Sequence, residues 1–169
     1  MKHVFGKDSE TVLSQVDAAS DVQPNAVDLR LGKVFKIRND VFEITNESKT
    51  HRGSDEITPD SDGFFYLEPG SYEVVMENTI TVGPNEAGWV ITRSTLNRNG
   101  VFLTSGLYDS GYEGVMAGAM HVTSGPARIK KGTRIGQYLS FDAETLKLYD
   151  GDYGSGKSHD NKYGVTNAN

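Results

Sequence analysis

Apolar and polar residues alternate in short runs along most of the chain, and turn residues interrupt them about every 8–12 positions, the rhythm of an all-β domain. The clearest run is AVDLRLGKVFKI at 26–37. There Val27, Leu29 and Leu31 alternate with Asp28 and Arg30, which predicts a half-buried strand. Further strands are predicted at GFFYL (63–67), YEVVMENTITV (72–82), AGWVITR (87–93), VFLTSGLY (101–108), EGVMAGAMHV (113–122) and RIGQYLSFDAETLKLY (134–149). A helical period shows only near the start. In SETVLSQVDAAS (9–20), Val12, Leu13 and Val16 share a helical face and Ser9 stands at the capping position. Residues 46–62 carry one aliphatic side chain, Ile57, and read as a solvated loop inside the domain, because the strands on either side are short and need partners. From Asp150 the chain turns polar and glycine-rich. The expected organisation is one β-barrel or sandwich domain over 1–149 followed by a mobile tail over 150–169.

Composition narrows the chemistry. The 169 residues are 36% hydrophobic, enough for a modest core, with some apolar surface left to be buried between subunits. Seventeen basic against 23 acidic side chains give a net charge of −6, which argues against a nucleic-acid partner. A small anion held by a few local arginines remains compatible with that balance. The absence of cysteine excludes disulfides, thiol catalysis and thiolate metal sites. The four histidines are scattered. MKHVFGKDSE lacks the apolar run of a signal peptide and no stretch suits a membrane helix, so the expectation is a soluble, cytoplasmic protein without a membrane partner.

Two segments carry candidate phosphate chemistry. GDYGSGKS at 151–158 matches the phosphate-loop pattern letter for letter, but that motif needs a buried strand before it and a helix after it. Here the following residues are poor helix formers and no alternating β-α pattern precedes them. What survives is a flexible glycine-rich segment in which Lys157 and Lys162 can close over phosphates. The stretch WVITRSTLNRNG at 89–100 says more. A strand runs into Arg93, Ser94 or Thr95 can cap a short helix, Arg98 lies one turn on, and Gly100 supplies a stop. Hydroxyls and guanidinium groups beside unpaired backbone N–H groups suit a phosphate.

GLYDSGYEG at 106–114 breaks one strand, turns through Asp109 and enters the next. With RST at 93–95, GTRIGQ at 132–137 and AVDL at 26–29, it resembles four motifs of the trimeric dUTPase and dCTP deaminase superfamily, in order and spacing, over about residues 25–142. The resemblance implies a distorted jelly-roll-like β-barrel and a homotrimer with active sites between subunits. It also implies hydrolysis of dUTP to dUMP and pyrophosphate, with Mg²⁺ carried on the substrate phosphates and not held directly by the protein. By the same resemblance Asp109 orients or deprotonates the attacking water, and Asp28 is a supporting carboxylate. Tyr112 stacks on the deoxyribose, while Arg93, Ser94, Thr95, Arg98 and Gln137 face the phosphates. Base contacts fall on the hairpin around Gly106 and Leu107, largely through main chain. The tail, DNKYG at 160–164, is closer to that of deaminase-type members and brings Lys162 and Tyr163 to the substrate.

The superfamily contains both hydrolases and deaminases. A deaminase needs a glutamate five residues beyond the glycine matched by Gly114, and that position here is Ala119, which cannot transfer a proton. The expectation is therefore hydrolysis on a deaminase-like frame. The alternatives are a dCTP deaminase or bifunctional enzyme, and a non-enzymatic nucleotide-binding trimer. Zinc-dependent deamination lacks its cysteine ligands.

Overall fold

A computed structural model describes residues 1–164. Its strands are β1 (Val12–Leu13), β2 (Val27–Ile37), β3 (Glu43–Ile44), β4 (Lys49–Thr50), β5 (Ser54–Glu56), β6 (Phe64–Leu67), β7 (Gly70–Thr81), β8 (Glu86–Thr92), β9 (Val101–Thr104), β10 (Glu113–Val122), β11 (Ala127–Lys130) and β12 (Arg134–Asp142). A short helix, α1 (Ser94–Arg98), follows β8, and a 3-10 turn spans Ser158–Tyr163. The main sheet runs β8-β12-β2-β7-β10-β9, with β1 added to β7 and β5 to β2; the two-stranded pairs β11–β6 and β3–β4 stand apart. The neighbouring pairs of the main sheet are antiparallel, and the sheet curls into a nearly closed barrel, as the all-β rhythm predicts.

The two longest strands, β2 and β7, lie side by side at the centre. Val27, Leu29, Leu31, Val34, Val74, Met76 and Ile80 from them meet Met116 and Met120 of β10, Leu103 of β9 and Tyr138 of β12 in one core. A bulge interrupts the β2–β7 register between Leu31 and Lys33. Gly32 sits there, and a Cβ on it would stand 3.0 Å from the Val75 carbonyl oxygen. The bulge bends the strands and helps the sheet curl.

Three expectations are corrected. Residues 9–20 form no helix: Val12 and Leu13 pair with Thr81 and Ile80 as the short strand β1. The cause is Glu86, a buried carboxylate at the start of β8. It accepts from Ser9 Oγ (2.9 Å), Glu10 N (2.7 Å) and Thr11 Oγ1 (2.5 Å), with Lys2 Nζ at 3.3 Å. Donors from three successive residues converge on this one carboxylate, which ties the segment to the start of β8 in an extended line. Secondly, β2 is covered on both faces at its start, so Asp28 is fully buried instead of facing solvent. Thirdly, the last predicted strand stops at Asp142, and residues 143–149 run on without strand pairing. The solvated stretch 46–62 is mostly exposed as predicted, though it contributes the short strands β4 and β5.

Candidate active site

The sequence-predicted residues fall into two groups on different parts of the chain. The first centres on Asp28. Pairing of β2 with β12 sets Gln137 opposite Asp28, and the Gln137 amide donates to Asp28 Oδ1 at 3.0 Å. Arg93 Nε and Arg134 Nη1 each lie 3.4 Å from Oδ2, and Gln23 Nε2 donates to it at 3.2 Å. Two guanidinium groups thus share one carboxylate, leaving a surplus positive charge at the mouth of the cluster. Arg93 directly follows β8, where its N–H donates to the Ile135 carbonyl (3.1 Å) and its Nη1 to the Arg134 carbonyl (3.2 Å).

Directly after Arg93 comes α1. Ser94 and Thr95 occupy its first turn, exposed or nearly so, and Arg98 its last. The expected hydroxyl cap is not formed: Arg93 holds the capping position in an extended conformation and makes no side-chain cap bond. The hydroxyls of Ser94 and Thr95 therefore lie beside first-turn N–H groups that precede any intrahelical acceptor. Gly100, in the left-handed region at φ 69°, ends the helix as predicted. A surplus cation, two hydroxyls and early backbone donors make a group suited to phosphate oxygens.

The second group surrounds the turn between β9 and β10. Tyr108 and Ser110 are buried on either side of Asp109, whose side chain is exposed. Backbone bonds between Tyr108 and Gly88 (2.7 and 3.0 Å) hold one flank. Ser110 Oγ donates to the Glu86 carbonyl (2.6 Å), and Tyr112 N donates to the Asp109 carbonyl (3.0 Å). Asp109 is thus a solvent-facing carboxylate on an immobilised turn, with a defined position rather than a free loop's spread of them.

Beside the turn lies a cavity of about 480 Å³. Its floor is Gly106, Leu107, Tyr108 and Ala117–Ala119 of the hairpin, together with Tyr112. Tyr112 packs edge-on between Tyr108 and Tyr149 and donates its hydroxyl to the Val115 carbonyl (2.7 Å). Burial pushes the Tyr112 hydroxyl pKa well above the ordinary phenol value, so it stays a neutral donor. Gly118 is required on this floor, since a Cβ there would collide with the Thr104 carbonyl oxygen across the sheet.

Of the rest of the lining, sequence reading named only Lys162 and Tyr163 and missed the others. Phe42, His51, Arg52 and Ser54 come from the arm around β3–β5. Glu73 comes from β7, where the register sets it opposite Ala119. Tyr153, His159, Asp160, Lys162 and Tyr163 come from the tail. A signal for Glu73 existed, a lone acid in the apolar run YEVVM, but only the β7–β10 register puts it in the cavity. Lys162 Nζ donates to Glu73 Oε2 at 2.9 Å, and Tyr163 donates its hydroxyl to Oε1. Burial acts to raise the Glu73 pKa, but Lys162, Tyr163 and Ser54 outweigh it and hold the carboxyl below its ordinary value. The phosphate-loop look-alike forms no strand–loop–helix unit: Gly154 lies against Glu113, and Ser158 opens the 3-10 turn. Residues 165–169 of the expected tail lie outside the described residues.

The cavity lining contains none of Asp28, Arg93, Ser94, Thr95, Arg98 and Gln137, and Asp109 stands next to it, not in it. Within one chain, then, no residue of the phosphate-suited cluster lines the cavity. Among the described residues no group of three or more His, Asp or Glu side chains is placed to hold a metal ion.

Residues 6–142 match the family model described as dCTP deaminase-like. A probable deoxyuridine 5'-triphosphate nucleotidohydrolase from Halobacterium salinarum is 31% identical over 149 residues, covering 84% of this chain and 89% of the relative. The deoxyuridine 5'-triphosphate nucleotidohydrolase of Methanocaldococcus jannaschii is 34% identical over 78% of this chain and 86% of its own. Among solved structures, the 2'-deoxycytidine 5'-triphosphate deaminase from Agrobacterium tumefaciens superposes with a TM-score of 0.59 at 17% identity, over 81% of this chain and 45% of that one. A point mutant of the dUTPase of Staphylococcus bacteriophage 80alpha gives 0.53 at 12% identity, over 85% of this chain and 97% of its own. At these identities the structural likeness speaks for the fold.

Proposed function

This chain belongs to the dCTP deaminase-like family, and from that membership we propose that it is a dUTP nucleotidohydrolase, cleaving dUTP to dUMP and pyrophosphate. The observation that carries the reading is Asp109, an exposed carboxylate on a rigid turn beside a cavity lined in part by Tyr108, Tyr112 and Tyr153. Archaeal relatives over 30% identical that bear the name of this activity support it.

In this mechanism the base enters the cavity against the hairpin backbone at Gly106 and Leu107, with the deoxyribose on Tyr112. Arg93, Ser94, Thr95, Arg98 and Gln137 hold the phosphates, and buried Asp28 keeps Arg93 and Gln137 aimed. Asp109 accepts a proton from a water whose oxygen bonds to the α-phosphorus. The bond from that phosphorus to the bridging oxygen breaks, and pyrophosphate leaves. Isolated carboxylates and phosphate-binding cations fit a metal that arrives on its substrate. Mg²⁺ bound to the phosphates supplies charge neutralisation and polarises the reacting group.

Because phosphate cluster and cavity lie apart in one chain, each complete site joins groups from different copies. We assign a homotrimer, in keeping with the exposed Trp89 and Ile91 on the outer face of β8, the strand that leads to Arg93. The net charge of −6 speaks against a nucleic-acid partner. Within the site itself, the dCTP deaminase reading is favoured by the Glu73 carboxylate opposite Ala119. That carboxylate is already bound to Lys162, Tyr163 and Ser54, which leaves it poorly placed to shuttle protons.

Incubation of pure protein with dUTP and with dCTP, each with Mg²⁺, tests the reading. Pyrophosphate and dUMP from dUTP, with cytosine left unchanged in the dCTP arm, are expected. Loss of the cytosine amine would establish the deaminase, and binding without turnover a nucleotide-binding protein.

A further inference from the structure

The tail does more than trail from the barrel. Its path is fixed at three places by contacts that the hydrolytic reading leaves unused. At the first, Gly154 meets the start of β10: Ser155 N donates to the Glu113 carbonyl at 2.7 Å. A Cβ on Gly114 would come 2.7 Å from Gly154 Cα, and one on Gly154 would come 2.5 Å from the Glu113 carbonyl oxygen. Both glycines have the positive φ that such an approach demands. At the second, the arm grips the tail. Lys49 pairs with Asp152 and lies over the Tyr153 ring, and the His51 and His159 rings are 4.7 Å apart. At the third, Tyr163 is buried among Phe35, Val75 and Val115, and Gly164 closes the 3-10 turn in the left-handed region.

Glu73 stands where this last contact meets the cavity. It rises from a central strand and receives Lys162, Tyr163 and Ser54, one donor group each from the tail's last two turn residues and from β5. Its side chain is only 18% exposed. A carboxylate so enclosed is stable only with its charge-assisted donors in place. We propose that Glu73 is a positioning residue that anchors the tail over the base cavity of its own chain, so that Lys162 and Tyr163 serve this anchor and not the phosphates. The cavity is then roofed by the chain that supplies its floor, with the arm as its third wall. The role in nucleotide binding rests on the reading given above; the anchoring itself does not.

Amide exchange of the tail, read by mass spectrometry on the full chain, tests the anchor without substrate. In Glu73→Ala, exchange across residues 157–164 is expected to rise at least about tenfold over wild type, while β2 and β12 stay protected. Glu73→Gln, which keeps an acceptor for Tyr163 but loses the charge for Lys162, should fall between. The exchange Glu73→Lys with Lys162→Glu should restore part of the protection lost in either single variant. Should Glu73→Ala not fold, Lys162→Met, on the exposed partner, carries the same expectation for residues 157–164. Unchanged tail exchange in these variants overturns the proposal, and so does a loss that the double swap leaves wholly unrepaired. With dUTP and Mg²⁺, KM in Glu73→Ala should rise by about tenfold or more while kcat stays within about threefold, since a roof that holds the base acts on binding. An equal fall of kcat and kcat/KM would overturn the positioning role. A wild-type protein with no turnover but a protected, Glu73-dependent tail would remove the hydrolase and leave the anchor standing.

Discussion

Asp109 draws its usefulness from its neighbours. Tyr108 and Ser110 are buried and bonded to β8, so the carboxylate between them is held at a fixed place on the surface. Asp109→Asn keeps the size and most hydrogen-bonding capacity but removes the proton acceptor. General-base assistance is worth ~10²–10⁴ in rate, so kcat should fall by at least about a hundredfold. The Kd for a non-hydrolysable dUTP analogue, measured by calorimetry, should change little, because in the proposed function Arg93, Ser94 and Gln137 hold the phosphates. If the turn matters only for folding, the loss would appear in melting temperature and affinity instead. Ala119 offers a complementary residue. Ala119→Glu places a carboxylate directly across from Glu73, and like charges opposite one another on a sheet repel. No ammonia release from dCTP is expected of it, and a lower melting temperature is.

The elements show which features a linear pattern can reveal. The strands β2, β7, β8, β10 and β12 are legible because each alternates or runs apolar under its own local rule. The fold class and the family follow from those strands and from the four spaced motifs. The segment 9–20 misleads, because its apolar spacing fits a helix while its conformation is set by Glu86, more than 70 residues away. Likewise the partnership of Asp28 with Gln137 depends on the β2–β12 register, and that of Glu73 with Ala119 on β7–β10. Register is a property of pairs of strands, and no single segment contains it. Glu86 makes the point testable. Burial acts to raise its pKa, but bonds from Thr11, Glu10, Ser9 and Lys2 prevail and hold it below the ordinary carboxylate value. A depressed folded value means that Glu86 stabilises the fold above the ordinary carboxylate range. That contribution fades as pH falls through the folded value. Melting temperature should therefore decline more steeply on acidification in wild type than in Glu86→Gln. Glu86→Ala strands several donors, at a cost of about 3 kcal/mol, or roughly 6–12 °C in Tm for a chain of this length. A melt within about 2 °C of wild type would show that the N-terminal segment is held by other means.

At the scale of the whole molecule, the cavity and the arginine cluster proposed to form one site share no lining residue within a single chain. The phosphate cluster at Asp28, Arg93 and Gln137 lies outside the cavity that Gly106, Tyr112 and the tail enclose. In the homotrimer proposed above, a rotation would set one chain's cavity beside the next chain's arginines. Neither Asp109→Asn nor Arg93→Ala homo-oligomers should then turn over dUTP appreciably, for every site in each lacks one group. Chains of the two kinds, mixed 1:1 and allowed to exchange, give some sites that draw Asp109 from an Arg93→Ala chain and Arg93 from an Asp109→Asn chain. Random assembly makes about a quarter of all sites intact in this way. Activity should rise from near zero toward about a quarter of the wild-type rate as subunits exchange, and sedimentation should show one unchanged oligomer throughout. If both groups of a site came from the same chain, no mixing ratio would restore activity, because each chain would carry its own defect into its own site. Flat activity in a mixture proven by mass spectrometry to contain hybrid oligomers would thus refute the shared site, whatever the oligomer's size.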